Sequence, residues 1–453
     1  MVTVPAMASN HSSDKTFTIH TSLLFDSKEK TWLKDRSITV NPITGLITSV
    51  HQRTAPLPAT INPPDIDLRG KTVLPGFVDA HTHLFLHGYL DTPAINQMRD
   101  ESLVERVVRA TNHCRTALLA GYTTYRDLGT EGAFDADAHL RDCVNRGIIP
   151  GPRIFCATEA LASSGGYEIR QENALGGTSV PRISDPCDGI VGCRAAVRRR
   201  LGAGADVIKF YADYRKRELR FPKPNWPRCA DIEFPPPGDL LQGERNPNLL
   251  LFNQEEMDAI VAEAKTARAP VAAHASTAEA VTMAAKAGVT TIEHGFLPFA
   301  GSDAIAAMKE HDTIFVPTLA VLASFLPDAL HSILAQVKHS HDSGVRLACG
   351  GDTGAFPHGE NVTEVELFLQ AGIGLEETLQ AATLRGWEAC GDEWCGRRFG
   401  WVGEGWAADL VVVEGQGLSG EKVRQGALRP ERVSWVVKDG RVWKRDGESV
   451  GMV

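Results

Sequence analysis

The pattern of apolar and polar residues changes twice along the chain. Residues 16–70 predict short strands separated by turns, with no stretch of helical period. From about residue 71, short apolar runs alternate with amphipathic stretches that have the spacing of helices. After about residue 400 the sequence returns to apolar runs separated by turn residues. The pattern therefore predicts β-rich ends around a long α/β middle.

Eight apolar runs in the middle part predict strands. They are 72–78, 122–127, 153–157, 207–211, 271–274, 290–294, 313–316 and 346–350. Amphipathic segments between them predict helices, among them 103–120, 254–267, 278–287 and 303–311. Eight strands that alternate with helices over roughly 320 residues predict an α/β fold of the (β/α)8 TIM barrel type.

The two β-rich ends predict a second, smaller domain. We expect residues 16–70 and 400–453 to form one composite β-sandwich domain, and residues 71–399 to form the barrel. Residues 1–15 are polar and predict a flexible N-terminus. An insertion at 213–250, rich in proline, basic and aromatic residues, follows the fourth predicted strand. Long loops at that end of a barrel usually shape substrate pockets, although an exposed surface loop is the alternative.

Composition and charge exclude several classes of function. The 453 residues carry a formal net charge of −9, so we expect neither nucleic acid nor an anionic membrane surface as a partner. No apolar run reaches the roughly 18 residues that span a bilayer. Nine scattered cysteines without a CxxC pair, and a first segment without a signal-peptide pattern, predict a cytoplasmic protein with reduced thiols.

Four histidines occupy the ends of predicted strands. The first barrel strand ends in His81, a threonine and His83. Residues i and i+2 of a strand point to the same side, so these two imidazoles can bind one metal ion together. Two later strands end in His274 and His294. Either residue alone is more often a hydrogen-bonded structural histidine, but strand ends of one barrel converge, and the joint pattern favours a metal site.

Asp352 and Lys209 add a carboxylate and an amine to this set. Asp352 follows a Gly-Gly pair after the last predicted strand, where it can ligate a metal ion and act as a general base, or else cap a turn. Lys209 lies between Ile208 and Phe210 on the fourth predicted strand. A charged amine that faces inward there is costly unless it is paired or modified, and the alternative is a lysine that reaches outward to solvent.

As a set, these motifs resemble the metal-dependent amidohydrolase superfamily. The likeness extends from Pro-Gly-Phe-Val-Asp-Ala-His-Thr-His at 75–83 to Val-Lys-Asp-Gly-Arg-Val at 437–442. Segments 209–215 and 357–361 are most similar to one branch of that family. This branch includes imidazolonepropionase-like proteins, Xaa-Pro dipeptidases, carboxypeptidase-like enzymes and ochratoxinase-type amidases.

The resemblance implies a binuclear centre of two divalent metal ions, most often Zn²⁺. Its ligands would be His81, His83, Lys209, His274, His294 and Asp352. Asp352 would join the first two histidines on one ion, the later two histidines would hold the other, and a carbamate on Lys209 would bridge both. Such a centre activates water as hydroxide, while Asp352, the catalytic residue, takes its proton and passes it to the leaving amine.

The resemblance also implies candidate substrate contacts. Tyr211 and Arg215 would bind a substrate carboxylate, for which the planar fork of arginine is suited, while a core tyrosine and a surface ion pair are the alternatives. Many relatives carry a histidine at the turn that here ends in Tyr167, whose hydroxyl can donate to an oxyanion. Two loop histidines, His87 and His358, are further candidates, and His87 can equally be a solvated loop residue.

These inferences predict a metal-dependent hydrolase that cleaves a C–N amide bond in a small molecule. The expected substrate is a dipeptide or an N-acyl amino acid with a free carboxylate. Alternatives are a cyclic amide such as a lactam or an imidazolone, a specialised natural product, and a non-catalytic protein that keeps a hydrolase fold. Because enzymes of this type often assemble, we also expect a homo-oligomer.

Overall fold

The computed structural model describes residues 16–166, 180–216, 248–296 and 303–451. Within these residues, five strands come first: β1 Phe17–Asp26, β2 Thr31–Lys34, β3 Arg36–Val40, β4 Ile47–Gln52 and β5 Ile66–Pro75. Twelve follow: β6 Phe77–Thr82, β7 Tyr122–Asp127, β8 Arg153–Cys156, β9 Ala160–Ala162, β10 Ser184–Pro186, β11 Ile208–Tyr211, β12 Asp213–Lys216, β13 Asn248–Leu250, β14 Val271–Ala275, β15 Thr291–His294, β16 Ile314–Val316 and β17 Arg346–Leu347. The last four are β18 Leu410–Val413, β19 Val433–Lys438, β20 Arg441–Arg445 and β21 Glu448–Ser449.

The helices lie mainly between the middle strands. They are α1 Ala94–Asp100, α2 Leu103–Leu119, α3 Ala136–Asn145, α4 Gly189–Gly202, α5 Gln254–Thr266, α6 Ala278–Ala287, α7 Ala304–Glu310, α8 Leu319–Phe325, α9 Leu330–Asp342, α10 Val362–Gln370, α11 Leu375–Ala381, α12 Leu384–Ala389 and α13 Gly420–Arg424. Local sequence explains some helix starts: Asn253 and Glu256 form a reciprocal capping box at the start of α5. The predicted alternation of strands and helices is confirmed.

One nine-stranded sheet combines strands from both ends of the sequence. Its order is β21-β20-β19-β18-β5-β1-β3-β4, and β2 pairs with β1. On β18, Leu410 and Val412 pack in a core of this sheet, whereas Val411 and Val413 pack in the core shared with the middle strands. Both faces of β18 are therefore buried, which explains its uninterrupted apolar sequence. The structure shows one connected sheet, and its description as a sandwich stays a prediction.

The predicted strand 72–78 is divided between two sheets. Its first part belongs to β5, which pairs with β18 and β1, and its last part begins β6, which pairs with β7. The break is at Gly76, where a Cβ atom would lie 2.2 Å from Thr123 Oγ1. Only glycine fits at this point, where the chain passes from one sheet to the other. The apolar run is continuous in the sequence, so it gave no sign of the break.

Two parallel sheets form the middle of the molecule. One has the order β6-β7-β8, and the other has the order β10-β9-β11-β14-β15-β16-β17. Backbone hydrogen bonds connect the two sheets at two places, from β8 to the start of β11 and from β6 to the residues after β17. Asp206 N donates to Cys156 O at 2.8 Å, and Ala80 N donates to Cys349 O at 3.0 Å. The carboxyl ends of the parallel strands therefore lie close together.

The two ends of the predicted insertion form an antiparallel ribbon in which β12 pairs with β13. Residues 217–247 lie outside the described residues, as do residues 1–15. The role of the insertion and the flexible N-terminus stay predictions.

A buried arginine connects the parallel strands to the nine-stranded sheet. Arg153 on β8 donates to Asp409 Oδ2 at 2.9 Å and to Asp439 Oδ1 at 2.8 Å. Because a buried guanidinium is costly without counter-charges, these two carboxylates join the two parts of the molecule.

Among the described residues, no single helix has the length and apolar character to cross a bilayer. The helical segments Leu319–Phe325 and Pro327–Asp342 have the required length and apolar character only when they are taken together, and the chain bends by 118° between them.

Candidate metal centre

The six side chains predicted to bind metal surround one cavity of about 380 Å³ at the carboxyl ends of the parallel strands. They lie on or within five residues after five different strands: His81 and His83 at β6, Lys209 on β11, His274 on β14, His294 on β15 and Asp352 after β17. The remaining lining residues are Tyr89, Glu131, Tyr211, Tyr214, Ser276, Phe296, Val321 and Leu322. The fold thus brings together residues that are up to 271 positions apart, from 81 to 352.

Asp352 lies between the paired histidines. Its Oδ1 is 3.2 Å from His83 Nε2 and 3.5 Å from His81 Nε2. Possible ligand atoms of His81, His294 and Asp352 lie within 4.8 Å of one another. Burial alone lowers the pKa of His83, but the Asp352 carboxylate raises it to about 9. The spot between these side chains therefore favours a positive charge, whether a proton or a metal ion.

His274 and His294 form a second imidazole pair, with ring centroids 4.5 Å apart. Burial holds the pKa of each ring well below its usual range, so both are neutral, which is the form that binds metal. His294 Nδ1 lies 2.9 Å from Thr318 Oγ1, which leaves Nε2 available. His83 Nδ1 likewise donates to Gly129 O at 2.7 Å, which leaves His83 Nε2 available to a metal ion.

A fully buried ion pair orients His81. Arg126 Nη2 donates to Glu293 Oε1 at 2.8 Å, and His81 Nδ1 donates to Glu293 Oε2 at 2.8 Å. Burial alone would raise the pKa of Glu293, but Arg126 and His81 hold it well below its usual range. The ionised carboxylate fixes the tautomer in which His81 Nε2 faces the site.

Glu293→Gln is expected to weaken zinc binding about 10- to 100-fold and to destabilise the fold by about 3–5 kcal/mol. The amide keeps the size of the side chain but removes the counter-charge of buried Arg126. Zinc titration and thermal unfolding measure the two effects, with exposed Glu105→Gln on α2 as the matched control. Unchanged zinc affinity in Glu293→Gln would contradict an orienting role.

Lys209 is buried, with 2% of its surface exposed. Among the residues that the structure describes, none offers its Nζ a hydrogen-bond partner. Burial lowers the pKa of Lys209 to about 8, which makes the neutral amine accessible near neutral pH. A neutral, unpaired amine beside possible metal ligands is suited to carry a carbamate.

Asp79 holds the loop of Asp352 against the end of β6. It accepts hydrogen bonds from Asn361 Nδ2 at 2.6 Å, Thr353 Oγ1 at 2.8 Å and His81 N at 3.1 Å. Asp352 itself has a φ of 63°, in the left-handed region that is strained for most side chains. Burial alone would raise the pKa of Asp352, but His81 and neighbouring imidazoles hold it well below its usual range.

The predicted substrate contacts have different outcomes. Tyr211 lines the cavity, and its hydroxyl donates to Glu131 Oε1 at 3.0 Å. Arg215 lies on β12, but the description does not extend to its side chain. Tyr167 lies outside the described residues. Contact of Arg215 or Tyr167 with substrate stays a prediction.

His87 and His358 are not among the described residues that line the cavity. His87 Nε2 lies 2.7 Å from Glu101 Oε1. His358 Nε2 donates to Leu86 O at 3.1 Å, and its ring stacks on His113 with centroids 4.1 Å apart. The structure places His87 in contact with the end of α1, and His358 in contact with Leu86 and with His113 on α2.

Three important residues were not predicted as functional from the sequence: Glu131, Tyr214 and Glu293. Glu131 and Tyr214 line the cavity, and Glu293 lies behind His81. Position was the only available signal, since Glu131 and Tyr214 follow predicted strands and Glu293 is the residue before the end of one.

Comparison with known proteins bears directly on this arrangement. The model of the amidohydrolase family matches residues 72–443 of the sequence. The chain belongs to the amidohydrolase family. This amidohydrolase is thus a hydrolase that acts on carbon–nitrogen bonds.

Individual relatives lie in the branch that the motifs predicted. Ochratoxinase of Aspergillus niger is 27% identical over 413 residues, which cover 84% of this chain and 77% of that protein. Imidazolonepropionase of Porphyromonas gingivalis is 24% identical over 364 residues, or 77% of this chain and 76% of that protein. The crystal structure of a Xaa-Pro dipeptidase with methionine in its active site is 27% identical, with a TM-score of 0.73 over 95% of this chain and 100% of that protein. The predicted resemblance is confirmed.

Proposed function

We propose that this amidohydrolase uses two divalent metal ions to cleave the C–N bond of a linear amide next to a free carboxylate. One observation carries the proposal: four histidines, Asp352 and the unpaired amine of Lys209 surround a single cavity. Nitrogen and carboxylate donors of this kind suit Zn²⁺, which is the metal we propose.

The donor set divides into two groups. Asp352 Oδ1 lies near the Nε2 atoms of both His81 and His83, and these three side chains would hold one ion. His274 and His294 supply neutral imidazoles for the other. A carbamate on Lys209 would replace the unpaired amine with an anionic group that both ions could share, which removes the cost of burying an amine without a partner.

When bound, the two ions supply positive charge that polarises a carbonyl group and makes water more acidic. The protein residues then manage protons and orientation. Asp352 accepts a proton from the attacking water and delivers it to the departing amine. Glu293 keeps His81 in the orientation that exposes Nε2, and Asp79 keeps Asp352 beside it.

We also propose that β6, β7 and β8 of one parallel sheet and β11, β14, β15, β16 and β17 of the other form one closed barrel of eight strands. The hydrogen bonds from Asp206 N to Cys156 O and from Ala80 N to Cys349 O support closure at the two seams. A closed barrel places eight strand ends on one face, which is where the candidate ligands lie.

Initial rates on an amide panel test the proposal. Zinc-loaded protein would be assayed on Xaa-Pro and other dipeptides, N-acyl amino acids, lactams and imidazolones. We expect turnover of linear amides that carry a free carboxylate. Turnover of rings alone would contradict the proposed substrate, and a protein that retains no metal would contradict the proposed centre.

Exposed apolar residues on α2 support a homo-oligomer. Val104 is 75% exposed and Val108 is 56% exposed, one helical turn apart. Light scattering on purified protein is expected to give a molar mass of two or more subunits. Changing both valines to lysine is expected to lower that mass, whereas a monomeric parent protein would contradict the proposal. A cytoplasmic location stays a prediction.

A further inference from the structure

The carboxylate of Glu131 is held rigidly in the wall of the cavity. Glu131 lies in the loop after β7 and is 6% exposed. Arg106, which is also buried, donates through Nη2 to Glu131 O and to Thr130 O, both at 2.9 Å, and through Nε to Phe85 O at 3.1 Å. A buried guanidinium that binds three backbone carbonyls fixes the loop, so the position of the Glu131 side chain is set before substrate binds.

Part of this carboxylate is unpaired. Tyr211 donates its hydroxyl hydrogen to Glu131 Oε1 at 3.0 Å. Within the described part of the sequence, Glu131 Oε2 has no hydrogen-bond partner, and Glu131 lines the cavity. A nearly buried carboxylate with one unpaired oxygen is best stabilised by a cationic donor.

Glu131 lies beside the candidate metal ligands without being one of the predicted six. A Cβ atom on Gly129 would lie 3.7 Å from His83 Cε1 and 3.9 Å from Glu131 Oε1. Gly129 thus lies close to both side chains, and Glu131 Oε1 is near His83 in the wall of the cavity. A substrate whose carbonyl is attacked near His83 would bring its adjacent substituent close to Glu131.

We propose that Glu131 binds the free ammonium group of the substrate and so selects aminoacyl compounds over N-acyl amino acids that lack it. This inference rests on the proposed function and narrows it to substrates with a free amine next to the scissile carbonyl. An ammonium group offers three donors and the matching charge, whereas a carboxylate at this spot would be repelled. Tyr211 then positions Glu131, in place of the predicted contact with a substrate carboxylate.

Matched substrates isolate the ammonium group. Alanyl and propionyl amides of proline and of methionine differ only in that group. The zinc-loaded parent protein is expected to show a kcat/KM roughly 10- to 100-fold higher for the alanyl member of a pair, as for a charge-assisted hydrogen bond. In Glu131→Gln this ratio is expected to fall to about one to threefold, chiefly through a lower kcat/KM for the alanyl member. Glu105→Gln should keep the parent ratio, and Glu131→Asp should recover part of it.

The outcomes separate the inference from the proposed function. Equal kcat/KM for both members of a pair in the parent protein would contradict the inference alone. Equal losses on both members in Glu131→Gln, or a lower zinc content, would assign Glu131 to the metal centre or the fold and overturn it. Absence of hydrolysis of either member by zinc-loaded parent protein would contradict the proposed function as well. Thermal unfolding of both Glu131 variants shows whether each is folded.

Discussion

Asp352→Asn is expected to lower kcat about 10²- to 10⁴-fold while the protein keeps most of its zinc. The amide is nearly the same size as the carboxylate and retains an oxygen that can face His81 and His83. It cannot accept a proton from water and deliver it to the leaving amine. Steady-state kinetics and metal analysis of the same preparation measure both effects.

Asp328→Asn is a suitable control, because Asp328 is exposed on the surface between α8 and α9. The substitution at Asp328 also replaces a carboxylate with an amide, but Asp328 does not line the cavity. Near-parental turnover in zinc-loaded Asp352→Asn would remove Asp352 from the proton-transfer role. Loss of zinc together with turnover would indicate that the residue acts mainly as a ligand.

Lys209→Ala is expected to retain one of the two proposed zinc ions per chain and to lose activity by at least about 100-fold. The substitution removes the only candidate for the bridge among the described residues and leaves space in the cavity that Lys209 lines. A small carboxylate such as acetate could enter that space, so addition of acetate is expected to restore part of the activity. Metal analysis with and without acetate, followed by rate measurement, tests this result.

The control for Lys209→Ala is Lys34→Ala, since Lys34 is exposed on β2. In the parent protein, zinc loading in buffer free of carbon dioxide should yield less activity than loading with bicarbonate. Two tightly bound ions in Lys209→Ala, or no effect of bicarbonate on the parent protein, would contradict the carbamate.

The candidate metal residues could be predicted because their signals are local. The His81 and His83 pair needs only the two-residue period of a strand, and His274 and His294 each end a short apolar run. Parallel strands of an α/β fold present their carboxyl ends on one side, so the predicted positions implied convergence. The structure places these four rings around one cavity.

Loop residues could not be assigned in the same way. His87 follows the His-x-His motif by four residues, yet its ring pairs with Glu101 at the end of α1. His358 follows Asp352 by six residues, yet it meets Leu86 from the first loop. Proximity along the sequence does not determine the direction of a loop, which depends on partners that are distant in sequence.

The sequence by itself determined the alternation of strands and helices, the candidate ligand residues and their places at strand ends, because each depends on a local period or a single residue. Only the tertiary structure decided that Gly76 separates two sheets, since β5 is held by β18 from the other end of the sequence. It also decided that Arg126 pairs with Glu293 behind His81, and that Glu131 faces the cavity. These features arise from contacts between distant segments, whose energies depend on burial and charge and leave no periodic pattern in the sequence.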